Sequence, residues 1–179
     1  MVLLSARARE AIDATTSSSF SCDLKKWLQI METYEKGGHA YHATLPTDAL
    51  MRLAAVMQET RAYGFARVKA EQELLGKKVR KLFESCGLPS VAAEGFKAPG
   101  VVVSYTTDSD IQSGKKFLNE GLQTAAGVPL QCGEGTDFKT FRVGLFGLEK
   151  WHNVDKTVAS LAGALDRMGV ADKVAEAAT

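Results

Sequence analysis

The chain has no surplus of either charge, no long apolar run and no nucleotide-binding glycine signature. Twenty-two Lys and Arg against 21 Asp and Glu leave a net charge of +1, so the basic footprint of a nucleic-acid or membrane-surface binder is missing. No apolar stretch approaches the ~20 residues a helix needs to span a bilayer. Neither GxxxxGK nor GxGxxG occurs, which removes support for nucleotide binding. Cysteine is scarce: Cys22, Cys86 and Cys132 are widely spaced and odd in number, which fits reduced thiols in a reducing compartment. The N-terminus MVLLSARARE places a short apolar start before charge, the reverse of a secretory signal. These features point to the cytoplasm, and 45% hydrophobic with 24% charged residues is ordinary globular composition.

What is present is punctuated by glycine. Met1-Val-Leu-Leu reads as a buried strand, after which Ser5 caps a short helix. Asp23 caps another, with Leu24, Trp27, Leu28 and Met31 at helical spacing, ended by Gly37-Gly38. From Thr47 the pattern is helical again, with Leu50, Leu53 and Met57 on related faces, until Tyr63-Gly64 interrupts it. Residues 65–86 resume as a helix with Val68, Leu75, Val79, Leu82 and Phe83 inward. Lys77, Lys78, Arg80 and Lys81 crowd its other side, as an anion patch or a solvated face.

After Gly87-Leu88-Pro89 short β-rich runs alternate with helices. Strands are expected at 90–93, 101–106, 127–131 and 141–146, the third weakened by Pro129. Helices are expected over 111–122 and after Asn153, where Val154, Val158, Leu161, Leu165 and Met168 recur and Gly169 closes the turn. This half reads β-β-α-β-β-α, a compact α+β unit. The main boundary falls near Gly64 or, as the second choice, Gly87.

Two stretches carry candidate chemistry. Residues 37–50, GGHAYHATLPTDAL, put Tyr41, His42 and Thr44 on a loop held between two helices. Hydroxyls beside a helix start suit an anion, although a plain turn with Thr47 as helix cap accounts for the same residues. In the strand 141–146, period-two alternation places Arg142, Gly144 and Phe146 on one face. Glycine leaves volume beside the guanidinium, the group suited to gripping a carboxylate through two parallel hydrogen bonds; an arginine on a solvent-facing strand is the plain alternative. His39 and His42 lack a third ligand at a zinc-site spacing, so no metal is expected. Cys132 has no His or Asn in a recognisable order, so a thiol nucleophile is not expected.

Taken together, GGHAYHATLPTDAL, the long helix after it, APGVVVSY, TFRVGLFG and NVDKTVASLAGAL resemble the C-terminal half of class V aminotransferases. These are fold-type I enzymes dependent on pyridoxal phosphate, and the alanine–glyoxylate and serine–pyruvate branch is the nearest. The resemblance covers residues 1 to about 168. It implies an α/β fold in which 1–64 form the C-terminal remnant of the large, cofactor-binding domain. Residues 65–179 would form the small domain with its leading long helix.

It further implies that Tyr41 and Thr44 bind the phosphate of pyridoxal phosphate held by a homodimer partner. Arg142 would grip the carboxylate of the amino- or 2-oxo-acid substrate. The implied reaction moves an amino group from alanine or serine to glyoxylate or pyruvate. The lysine that carries the cofactor in that family lies upstream of the stretch matching Met1-Val-Leu-Leu. Lys25, Lys97 and Lys139 match no such position, nor are the ring-stacking aromatic and the acidic partner of the pyridine nitrogen found. The chain is therefore expected to be inactive alone, as a fragment, a truncated gene product or one piece of a split enzyme. A cofactor-free binding or interaction module derived from the small domain is the second reading. A lyase or desulfurase of the same superfamily is disfavoured, because no cysteine sits in a suitable loop.

Overall fold

Helix caps and glycine stops place the elements of the chain, and the computed structural model describes residues 2–170. Two units meet at Leu53 and Ala54. In the first, the Ser5 hydroxyl accepts from the Ala8 N–H at 3.2 Å and opens α1 (Ala6–Asp13). The Asp23 carboxylate accepts from the Lys26 N–H at 3.0 Å and opens α2 (Leu24–Glu35). An Arg9–Glu32 ion pair joins the two helices. The inward stripe of α2 is offset from the expected one: Ile30 is its buried residue, and Met31 is exposed. The strand expected at the N-terminus does not form over the described residues; Val2 and Leu3 are irregular and 62% and 90% exposed.

Helix α3 (Thr47–Tyr63) begins one residue after Pro46, whose carbonyl accepts from the Leu50 N–H at 3.0 Å. Pro46 rather than Thr47 therefore holds the capping position. α3 has no buried residue, so its Leu50, Leu53 and Met57 do not face a core here. It ends at Gly64, whose φ of 103° is accessible to glycine and strained for other residues.

The second unit is built on α4 (Phe65–Ser85), which buries Leu75, Val79 and Phe83 completely. Against it lies a three-stranded antiparallel sheet of β1 (Val101–Tyr105), β2 (Ala125–Ala126) and β3 (Thr140–Gly144), in the order β1-β3-β2. Between β1 and β2 run α5 (Ser109–Gln112) and α6 (Lys115–Asn119), and after β3 come α7 (Leu148–Trp151) and α8 (Val154–Arg167). The mixed helix-and-small-sheet class expected from the sequence is the one observed, with local differences. The run 90–93 contributes a single bridge, Ser90 to Ser104. The edge strand precedes its expected place: Ala125 and Ala126 pair with Arg142 and Phe141. The Gly127 N–H donates to the Thr140 carbonyl at 2.9 Å, an approach only glycine allows because a Cβ there would lie 1.6 Å from the Thr140 Oγ1. One expected helix over 111–122 is two short ones, broken at Gly114, where φ is 81°.

Alternation sorts the sheet into two faces. Val102 and Phe141 are fully buried among Leu75, Val79, Phe83, Phe117, Leu161 and Leu165. The Phe141 ring lies 5.3 Å from both the Phe83 and the Phe117 ring. Burying side chains of this size is what stabilises the unit, at about 1.5–3 kcal/mol each. On the opposite face Arg142, Gly144 and Ala125 are exposed.

Arg80 departs from the solvated face expected of the charge run. It is 6% exposed, and its Nη2 donates to the carbonyls of Ala98 at 2.5 Å and Val101 at 3.0 Å. Two turns earlier Gln72 donates from Nε2 to the Pro99 carbonyl at 3.0 Å. Between them Gly76 allows the close approach, since a Cβ would come within 2.6 Å of the Pro99 oxygen. This stripe of α4 fixes the segment leading into β1.

Candidate carboxylate and phosphate sites

Arg142 sits in the central strand, opposite Val103 of β1 and Ala125 of β2. Its neighbours along the same face are Thr140 and Gly144. Among the described residues it has no carboxylate, ring or hydrogen-bond partner. A guanidinium with five donors on an apolar surround is available to an external anion, and planar carboxylates match its fork. The arginine stands on open sheet and not in a cleft. A pocket of about 690 Å³ is lined by Cys86, Pro89, Tyr105, Asp108 and Phe138, among others, and Arg142 takes no part in it.

The volume beside Gly144 is smaller than alternation alone implies. The ring of Phe146 lies 3.5 Å from where a Gly144 Cβ would point, and 2.7 Å from where a Gly100 Cβ would point. The ring is therefore seated over two glycines, one on β3 and one just before β1. It is 60% exposed. Gly100 also accepts from the Leu145 N–H at 2.9 Å, which ties the two backbones together under the ring.

The loop of residues 37–46 belongs to the first unit. Tyr41 is 73% exposed, and its hydroxyl lies 3.4 Å from the Thr44 Oγ1. The two oxygens thus converge on one point at the surface, as a shared anion oxygen requires. His42 between them points the other way. Its ring packs on Phe20 at 4.3 Å and meets the edge of Trp27 at 4.9 Å, and its Nε2 lies 3.3 Å from the Phe20 carbonyl. The Trp27 indole N–H donates to the Ser21 carbonyl at 2.9 Å. His42 is therefore the anchor that holds the Tyr41 and Thr44 hydroxyls outward. Its place between two candidate binders was visible in the sequence, but its aromatic partners were not. His39 packs against Tyr34, and no group of three or more metal-ligating side chains occurs among the described residues.

No known family profile matches the chain. Over 166 residues it is 27% identical to a 2-aminoethylphosphonate–pyruvate transaminase of Burkholderia ambifaria, covering 91% of this chain and 43% of that protein. It is 26% identical to a second transaminase of that name from Burkholderia lata, with the same coverage. Among solved structures, alanine–glyoxylate aminotransferase from Nostoc sp. superposes with a TM-score of 0.70 at 20% identity, over 90% of this chain and 42% of that one. The fold is that of the C-terminal part of a class V aminotransferase. Ureidoglycine–glyoxylate aminotransferase from Bacillus subtilis agrees, with a TM-score of 0.60 at 19% identity over 91% of this chain and 41% of that one. The aminotransferase resemblance read from the sequence is thus borne out, and the chain spans less than half the length of the curated relatives it matches.

Proposed function

We propose that this chain supplies substrate- and cofactor-holding residues of a pyridoxal-phosphate-dependent transaminase. The donor would be a small amino acid, alanine or serine, and the acceptor a 2-oxo acid, glyoxylate or pyruvate. Pyruvate and glyoxylate are the acceptors in the names of the similar proteins. The observation that carries the reading is Arg142, exposed and without a charge or hydrogen-bond partner among the described residues, bordered on β3 and its neighbours by Val103, Ala125 and Gly144. On this reading residues 1–64 belong to the cofactor-binding domain and 65–179 to the small domain.

The hydroxyls of Tyr41 and Thr44 fit a phosphate: both are exposed, and they converge without an acidic neighbour in the Tyr41–Thr44 segment. Pyridoxal phosphate, when bound, supplies an electron sink for the α-carbon of the substrate. Tyr41 and Thr44 hold its phosphate on a homodimer partner, and Arg142 holds and orients the substrate carboxylate. The exposed Leu50, Leu53 and Met57 of α3 support a further protein surface in the assembly. No lysine of this chain is assigned the cofactor-carrying role, and the chain alone is expected to be inactive.

Kinetics of the natural enzyme, with alanine and glyoxylate as substrates, test the reading. Arg142→Ala should raise the KM for the 2-oxo acid by about tenfold or more, since a charge-assisted pair is lost, while bound cofactor stays the same. An unchanged KM removes Arg142 from the role. A cofactor-free binding module, the competing reading, is established instead if the natural protein takes up no pyridoxal phosphate.

A further inference from the structure

We infer that Phe146 is the wall that limits ligand size at Arg142, confining the site to short-chain 2-oxo and amino monocarboxylates. The inference rests on the carboxylate reading of Arg142 and deepens it.

Residues 142 and 144 point to the same face of β3, so the direction of a Cβ at Gly144 marks the side on which the guanidinium stands. The Phe146 ring occupies that side, with two of its atoms 3.5 Å from the Gly144 Cβ position. Its other contact is Gly100, where a Cβ would lie 2.7 Å from a ring carbon and 3.3 Å from the next. Two glycines in adjacent backbones thus leave a trough, and one aromatic ring fills it. The ring serves no core purpose, being 60% exposed, whereas Phe141 on the other face is fully buried.

A carboxylate held by Arg142 has Val103 and Ala125 to either side of the strand and the edge of this ring along it. The short substituent of pyruvate or glyoxylate passes the ring. A benzyl group needs the trough that the ring already fills.

Calorimetric titration of the 179-residue chain with pyruvate and with phenylpyruvate tests this. The wild type should favour pyruvate, and Phe146→Ala should shift the affinity ratio toward phenylpyruvate by about tenfold or more, since a single methylene of apolar pocket already discriminates by about tenfold. Phe146→Tyr, which keeps the ring, should leave the ratio in place. Gly100→Ala should also shift it, because the new methyl displaces the ring without altering residue 146. The melting temperature should stay near that of the wild type in Phe146→Ala, as expected for an exposed side chain. If pyruvate binding depends on Arg142 but neither Phe146→Ala nor Gly100→Ala moves the ratio, the wall is refuted and the carboxylate reading survives. If Arg142→Gln binds pyruvate as the wild type does, or the wild type binds none, both fall.

Discussion

Arg142 owes its availability to the two-residue period of β3. The same alternation that buries Phe141 sends the guanidinium to the opposite face, where it is exposed and no carboxylate among the described residues pairs with it. Arg142→Lys keeps the charge and loses the fork. It should therefore weaken pyruvate binding by about tenfold, the worth of one charge-assisted hydrogen bond, measurable by calorimetry. Tyr41 and Thr44 depend in turn on His42, which is wedged against Phe20 and Trp27. Tyr41→Phe removes one of the two converging hydroxyls. The fraction of pyridoxal phosphate retained by the natural enzyme after gel filtration should fall, while Thr44→Ser, which keeps an oxygen, should retain it.

A second residue-scale cluster sets a pH dependence. The Tyr63 hydroxyl lies 2.9 and 2.7 Å from the two oxygens of Glu71, and Arg67 Nε donates to Glu71 at 3.0 Å. The hydrogen bond from Tyr63, aided by Arg67, holds the Glu71 carboxyl below its ordinary value. A depressed carboxyl stabilises the fold above the unfolded value, about pH 4.3, and that contribution disappears as pH falls through the lower folded value. Tyr63→Phe should accordingly melt lower than the wild type at pH 7, and the gap should narrow in acid below about pH 4. A gap that stays constant with pH removes Glu71 from the effect.

At the scale of elements, α4 does more than bury an apolar stripe. Gln72, Gly76 and Arg80 recur every fourth residue: Gln72 donates to the Pro99 carbonyl, Arg80 to those of Ala98 and Val101, and Gly76 leaves room for the Pro99 backbone between them. Gln72 also accepts from the Trp151 indole N–H at 2.7 Å, so α4 fixes both segments that flank the Phe146 ring. Gly76→Ala gains about 1 kcal/mol of helix propensity but drives a methyl into the Pro99 backbone. Such overpacking costs about 1–3 kcal/mol, so urea unfolding should show a net loss of stability. Arg80 shows why the charge run misled: hydropathy sends a guanidinium to water, whereas backbone carbonyls presented by another segment can hold it inside. Nothing local to Lys77–Lys81 reports those carbonyls. The split of the expected helix at Gly114 has the same kind of cause, since its φ of 81° is set by the chain around it. The caps at Ser5, Asp23 and Asn153 were legible because a cap is a local hydrogen bond.

At the scale of the molecule, the small-sheet unit was readable from period and punctuation, and its likeness to aminotransferases from the order of several blocks. The core positions Leu75, Val79, Phe83, Leu161 and Leu165 follow from helical spacing alone and are all buried. Spacing failed for α3, whose Leu50, Leu53 and Met57 recur like core residues yet remain exposed. A periodic apolar face marks a surface fit for burial and says nothing of what buries it. The Phe146 wall was half legible: alternation put the ring on the face of Arg142, but only the meeting of β1 and β3 brings Gly100 beneath it.

The central claim is that Arg142 receives a carboxylate. Following the side-chain Nε–H resonance of Arg142 by NMR while pyruvate is added to the chain tests it most directly. The account predicts a saturable shift of that resonance, abolished by Arg142→Gln and not reproduced by acetone, which lacks the carboxylate. A resonance that stays unmoved up to solubility-limited pyruvate, or that moves equally with acetone, contradicts it.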